Sequence, residues 1–334
     1  MDTEKQATQL RFSSFYIIDL VKQLFKTKNI TAVIYLFLNL AVIFFAFVAI
    51  SHDMWGSALT SVIIYSITSF VFLSPIGEWV LRLTQSCRKL KAENSEDKRI
   101  LNRVEPLFNE VLERACTKNT GLRVDPKICL YVQNNSDMNA FAIGRRTVCM
   151  TTGLLECTDE HIKAVLAHEI GHLAAHDTDL MLLITVGNVI IAAGVTILKI
   201  AINLVKLFLS AVFMVVGGQE KLFGRIINSV CNFLILLCVN IVMWIWTKLG
   251  ILMVMHSSRK EEFAADVFSC DLGYTDGLLS FLENLTVYEN AANRYSKMST
   301  MERLKKKTEV FTAFSSSHPK ATQRIERIKE AMGQ

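Results

Sequence analysis

The chain is poor in the residues that mark several protein classes. It has 4 Pro and 15 Gly in 334 residues, which excludes collagen-like and proline-rich linker architectures. Its 8 Cys are too sparse for a small disulfide scaffold. Cys116, Cys129, Cys149, Cys157 and Cys270 are scattered without C-x-x-C pairing, and Cys231 and Cys238 fall inside an apolar run. This distribution suits a reducing compartment. Phosphate-loop and dinucleotide motifs are absent, as are internal repeats and low-complexity tracts. The basic Lys305-Lys306-Lys307 run lacks interleaved aromatics. It reads as a solvated or lipid-facing helix face, and no nucleic-acid partner is expected. Disorder is excluded by an apolar content of 51%.

That apolar content accompanies a 20% charged fraction, and the two are segregated along the chain. Thr31 to Ile50, Ser57 to Ile76, Leu180 to Leu198 and Ile226 to Thr247 carry no charge. Each is long enough to cross a hydrocarbon core about 30 Å thick at about 1.5 Å per helical residue. A fifth stretch, Ile200 to Gly218, is apolar but carries Asn203 and Lys206. It reads as a further span, a re-entrant or interfacial segment, or the far end of a long third helix. Lys5, Arg11, Lys22, Lys26 and Lys28 precede the first span, and Arg82, Arg88, Lys89 and Lys91 follow the second. The intervening loop has no basic residue, so both flanks are expected on the cytoplasmic side. Leu10, Phe15, Ile18, Val21 and Phe25 recur at helical spacing, as in an amphipathic surface helix or an ordinary cytosolic one. The expected organisation is 1–80 with spans one and two, 81–179 as the first catalytic part, 180–247 with spans three and four, and 248–334 as the second catalytic part.

The strongest chemical signal is His168-Glu169-Ile170-Gly171-His172. Thr158 can N-cap the preceding helix, with Asp159 and Glu160 suited to its first turn. His168 and His172 lie one turn apart, so both imidazoles face the same way and can reach one zinc. Glu169 lies about 100° around the helix, placed to accept a proton rather than to ligate. His176 is too far along a straight helix to join them, and reads as solvent-facing or as a support. A catalytic zinc needs a third protein ligand, and no Glu occurs between Glu169 and Glu220. The best candidates follow the fourth span. Glu262 and Asp266 share a face at i, i+4, where one can ligate while the other holds a ligand His. Glu261 is expected at the surface. An even number of crossings must separate His168 from Glu262, which keeps Ile200 to Gly218 from being a full span.

The run Val148 to Leu155, Ala164 to His172 and Asp177-Thr178 resembles the HtpX-type membrane zinc metalloproteases, relatives of the CAAX prenyl endopeptidases. Asn139-Ala140-Phe141-Ala142, then Ser258-Arg259 with Glu262, Phe263 and Asp266, and finally Ser317-His318-Pro319 with Arg324-Ile325, resemble further motifs of that family in order. The resemblance implies a polytopic α-helical membrane protein of about four transmembrane helices with a cytoplasmic α+β zincin-like (gluzincin) catalytic domain. It implies one zinc ion per chain on His168, His172 and Glu262, with Glu169 as general base and Asp266 as the partner of a ligand. Asn139, Ala140 and Phe141 would dock substrate backbone, and His318 and Arg324 would support the site or its oxyanion. The expected partners are the lipid bilayer and an unfolded or membrane-protein substrate, in a bacterial inner membrane or its equivalent, with a role in protein quality control. The alternatives are a non-catalytic membrane chaperone or adaptor with a structural zinc, and a CAAX-type prenyl-protein endopeptidase.

Overall fold

The computed structural model describes residues 22, 24–26, 29–118, 120, 122–216, 221–296 and 320–333. The expected N-terminal amphipathic segment falls almost wholly outside these residues, and His318 lies outside them too. The described chain divides into two compact units, one from Thr31–Ser69 with Leu183–Val254, the other built mainly from Phe70–Leu182 with Met255–Gln334.

The first unit is helical. It draws on α1 (Ile30–Ser51), α2 (Met54–Phe72), and parts of the long helices α6 (Asp177–Val216) and α7 (Lys221–Asp271). Among the described residues three helices are long and apolar enough to cross a membrane: Ile30–Ser51, Met54–Phe72 and Asp177–Val205. A shorter apolar helical stretch, Leu237–Gly250, lies on α7. Hydrophobic matching to lipid gives such helices little reason to associate, so small residues and internal hydrogen bonds hold them. The Tyr35 hydroxyl donates to Asn188 Oδ1 at 2.6 Å, the Tyr65 hydroxyl to the Leu183 carbonyl at 2.9 Å, and Trp246 Nε1 to Asn39 Oδ1 at 3.2 Å. Gly250 lets the Tyr35 hydroxyl approach: a Cβ there would sit 2.3 Å from it.

One apolar run departs from its sequence reading, and another takes one of the forms expected of it. Ser57 to Ile76 is not one helix. The chain leaves α2 at Phe72, Ser74 caps a new helix by accepting from the Ile76 N–H, and Pro75 opens α3 (Pro75–Thr84). Proline suits a first helical turn and cannot continue a helix across that point. Residues 200–216 of the fifth stretch simply continue α6.

The second unit surrounds the histidine helix. Its sheet is β1 (Cys129–Gln133), β2 (Ala140–Ile143) and β3 (Thr147–Thr151), in the order β1-β3-β2. β1 runs parallel to β3, and β2 antiparallel to it with Ala140 opposite Met150. Around the sheet lie α4 (Ser95–Thr117), α5 (Asp159–Ala174), α8 (Thr275–Ser296) and α9 (Ala321–Met332). Asn94 caps α4, and Thr158 caps α5 by accepting from the His161 N–H. Helix α5 is buried along almost its whole length. Ile162, Leu166 and Ile170 pack with Val104 and Phe108 of α4, Val148 and Met150 of β3, Leu278 and Leu282 of α8, and Ile328 of α9 in one core. A helix enclosed on all sides holds its side chains in fixed rotamers, which a metal site requires.

Candidate metal centre

His168 and His172 project from one face of α5, as their spacing predicts. Glu262 comes to them on α7, across a close helix–helix contact. Gly171 makes this contact possible: a Cβ there would lie 3.3 Å from the Ala265 Cα and 3.1 Å from Phe268 Cδ1. The three side chains are buried, and one ligating atom from each lies within 4.8 Å of the others. The two Nε2 atoms are 3.3 Å apart, His168 Nε2 is 3.5 Å from Glu262 Oε2, and His172 Nε2 is 3.4 Å from Glu262 Oε1. Donors about 2.0–2.1 Å from a tetrahedral ion lie about 3.3 Å from one another. The separations therefore fit a zinc-sized cation, and two imidazoles with one carboxylate are a borderline-soft donor set suited to zinc.

Each imidazole is held from behind. His168 Nδ1 meets Asp266 Oδ1 at 2.9 Å, and His172 Nδ1 meets Asp177 Oδ2 at 3.3 Å. These contacts leave both Nε2 atoms for the ion, which is how carboxylates set the orientation of metal-binding histidines. Arg324 of α9 donates from Nε to Asp266 Oδ2 at 2.9 Å and from Nη2 to Asp266 Oδ1 at 2.5 Å. Its Nη1 is 3.9 Å from Glu262 Oε2.

The buried charge balance also fits a cation. Glu169, Glu262, Asp266 and Asp177 are all buried together with Arg324. Burial alone would pull the His172 imidazole down, yet Asp177, Glu262 and Glu169 hold it well above its ordinary value. Burial and Arg324 also pull His168 down, and Asp266 and Glu262 outweigh them. Burial pushes the Asp266 carboxyl up, but Arg324 and His168 hold it below the usual carboxylate range. The surroundings favour positive charge between the imidazoles and the carboxylate.

Ala140 and Phe141 belong to β2, and Asn139 leads into it. The Thr151 N–H donates to the Asn139 carbonyl at 2.9 Å, and Ala140 is buried where β2 packs on α5. Asp177 went unread as part of the site, and Glu261 was misplaced. Asp177 follows a break at His176, whose left-handed φ of 58° ends the α5 segment and starts α6. Glu261, expected at the surface, is buried, because α7 is enclosed here. His176 does not approach the ion site; its Nδ1 is 3.1 Å from Asp179 Oδ2.

The model of "Peptidase family M48" matches residues 103–332. "Protease HtpX homolog" of Bacillus licheniformis is 25% identical over 286 residues, covering 83% of this chain and 85% of the relative. "Protease HtpX" of Haemophilus ducreyi is 28% identical over 311 residues, covering 89% and 98%. "Protease HtpX homolog" of Caldanaerobacter subterraneus is 30% identical over 211 residues, covering 61% and 66%. With its metal-type donor triad, its apolar helices and a family match over most of its length, the chain belongs to peptidase family M48, as a membrane metalloprotease of the HtpX type.

Proposed function

We propose that the chain is a zinc endopeptidase in which His168, His172 and Glu262 hold the ion and Glu169 is the general base. The convergence of those three donors, each His backed by its own carboxylate, carries this reading. When bound, zinc supplies a Lewis acid that polarises the scissile carbonyl and acidifies water. Glu169 takes the proton of the attacking water and passes it to the leaving amine, with no covalent intermediate. Asp266 and Asp177 keep the imidazoles in the right tautomer, and Arg324 holds Asp266. His318 is the proposed oxyanion donor, a role resting on the family resemblance alone.

The substrate is an unfolded or membrane protein, bound in extended form along β2. β2 is the edge of the sheet and packs on α5. The pairing of Asn139 with Thr151 makes residues alternate along β2, so the backbone groups of Ala140 and Ala142 face away from β3. A substrate strand can pair there. Four spans and a cytoplasmic site are proposed, with Ile226 to Thr247 of α7 as the fourth. The basic residues on either side of the first two spans support that orientation, and the task is quality control in that membrane.

The deciding experiment compares wild type with Glu169→Gln, reading zinc content and cleavage of an unfolded protein. Equal zinc with cleavage reduced at least about 100-fold is expected of a lost general base. Equal cleavage in both proteins ends the mechanism.

A further inference from the structure

Helix α3 carries two faces with opposite partners. Its polar face is clamped to the catalytic unit. Arg82 Nη1 donates to Thr147 Oγ1 at 3.0 Å and to Glu78 Oε1 at 3.2 Å, and the Thr147 hydroxyl donates to Glu78 Oε1 at 2.5 Å. The Arg82 guanidinium also sits 4.9 Å from the Tyr131 ring centre. Glu78 presses on Gly144 in the β2–β3 turn, where φ is 56° and a Cβ would lie 2.9 Å from its side chain.

The other face is apolar and uncovered. Ile76, Trp79, Val80 and Leu83 are 64%, 54%, 42% and 57% exposed. Their spacing is i, i+3, i+4, i+7, a single helical stripe. Among the described residues from 75 to 182 they are the only exposed large apolar side chains. An apolar stripe this concentrated calls for an occupant.

Its position in the chain identifies that occupant. α3 starts just after α2, a helix long and apolar enough to span a membrane. The two residues between Phe72 and Pro75 reach only about 10 Å. Gly77 closes the joint further, since a Cβ there would be 2.2 Å from the Phe72 carbonyl. The stripe contains a Trp, favoured at the lipid–water boundary. Lys89 and Lys91, exposed just past α3, suit anionic headgroups.

We propose that α3 lies in the interfacial layer of the bilayer with Ile76, Trp79, Val80 and Leu83 in lipid, and so fastens the β2–β3 turn to the membrane surface. This goes beyond the peptidase reading and does not depend on it. The helix is an in-plane anchor of the kind that combines apolar burial with nearby basic residues.

The test uses the full chain in phosphatidylcholine–phosphatidylglycerol vesicles, with and without brominated acyl chains. The Trp79 contribution is the difference in emission between wild type and Trp79→Phe. It should fall about twofold in brominated vesicles, as for an interfacial Trp. A Trp79 signal untouched by brominated lipid overturns the proposal. That holds whether aqueous iodide quenches it, as for a wet face, or nothing does, as for a face covered by protein or a second copy. Leu83→Trp in the Trp79→Phe background repeats the measurement one turn along and should behave alike. Zinc content and cleavage are recorded in parallel, so loss of the peptidase reading leaves this result standing.

Discussion

Asp266 and Arg324 form a buried, two-pronged ion pair directly behind His168. The carboxylate is 1% exposed and the arginine 5%, and the same Asp266 Oδ1 faces His168 Nδ1 at 2.9 Å. A charge of either sign left alone in such a place is costly. Arg324→Ala is therefore expected to destabilise the protein by about 3–5 kcal/mol. Arg324→Lys keeps the charge but loses the planar fork. It should remain folded and bind zinc more weakly, which thermal unfolding and metal analysis in detergent would show. An Arg324→Ala protein as stable as wild type would contradict the pair's importance.

Asp177 is expected to act on the ion through His172. Asp177→Asn keeps the size of the side chain but weakens its hold on the imidazole. Zinc affinity, read by competition with a chromophoric chelator, should fall about 10–100-fold. At saturating zinc the fold should be little changed. Unchanged affinity would assign Asp177 to the start of α6 alone.

Gly171 offers a separation of stability from activity. Alanine there improves helix propensity by about 1 kcal/mol, while crowding at this contact costs about 1–3 kcal/mol. The Ala265 backbone cannot swing aside as a flexible side chain would. Gly171→Ala should shift melting modestly but lower kcat/KM strongly, because α7 brings Glu262. A variant of full activity would show that the helices can part without cost to the site.

Asp97 links pH to stability far from the ion. It accepts from Arg88 Nη1 at 2.7 and 2.8 Å and from the Lys91 N–H at 3.0 Å. The Arg88 hydrogen bonds, then that of Lys91, hold its carboxyl below the usual carboxylate range. Its contribution is full above the unfolded value of about 3.9 and disappears as pH falls through the lowered folded value. Asp97→Asn should thus melt lower than wild type at pH 7, with the gap narrowing below about pH 4. A gap that stays constant down to pH 3 would refute this role for Asp97.

The helical spacing of His168 with His172, and of Glu262 with Asp266, was legible because each pair is one turn apart and needs no tertiary knowledge. Asp177 was not, because the left-handed His176 breaks the period between it and His172. The burial of Glu261 and the close approach at Gly171 depend on which elements pack together, and local pattern carries no such information. β2 was hidden for a related reason. Ala140 to Ile143 is short and apolar without alternation, so its pairing with β3 decides its form. Ser57 to Ile76 reads as one span by hydropathy, although Pro75 marks the break.

The clamp behind His168 also imposes an order in time. Arg324 follows Asp266 by 58 residues, while His168 and His172 are made well before either. A growing chain thus holds both imidazoles and the carboxylates before the guanidinium that steadies them has been synthesised. The clamp therefore closes last, after every other side chain of the centre has been made.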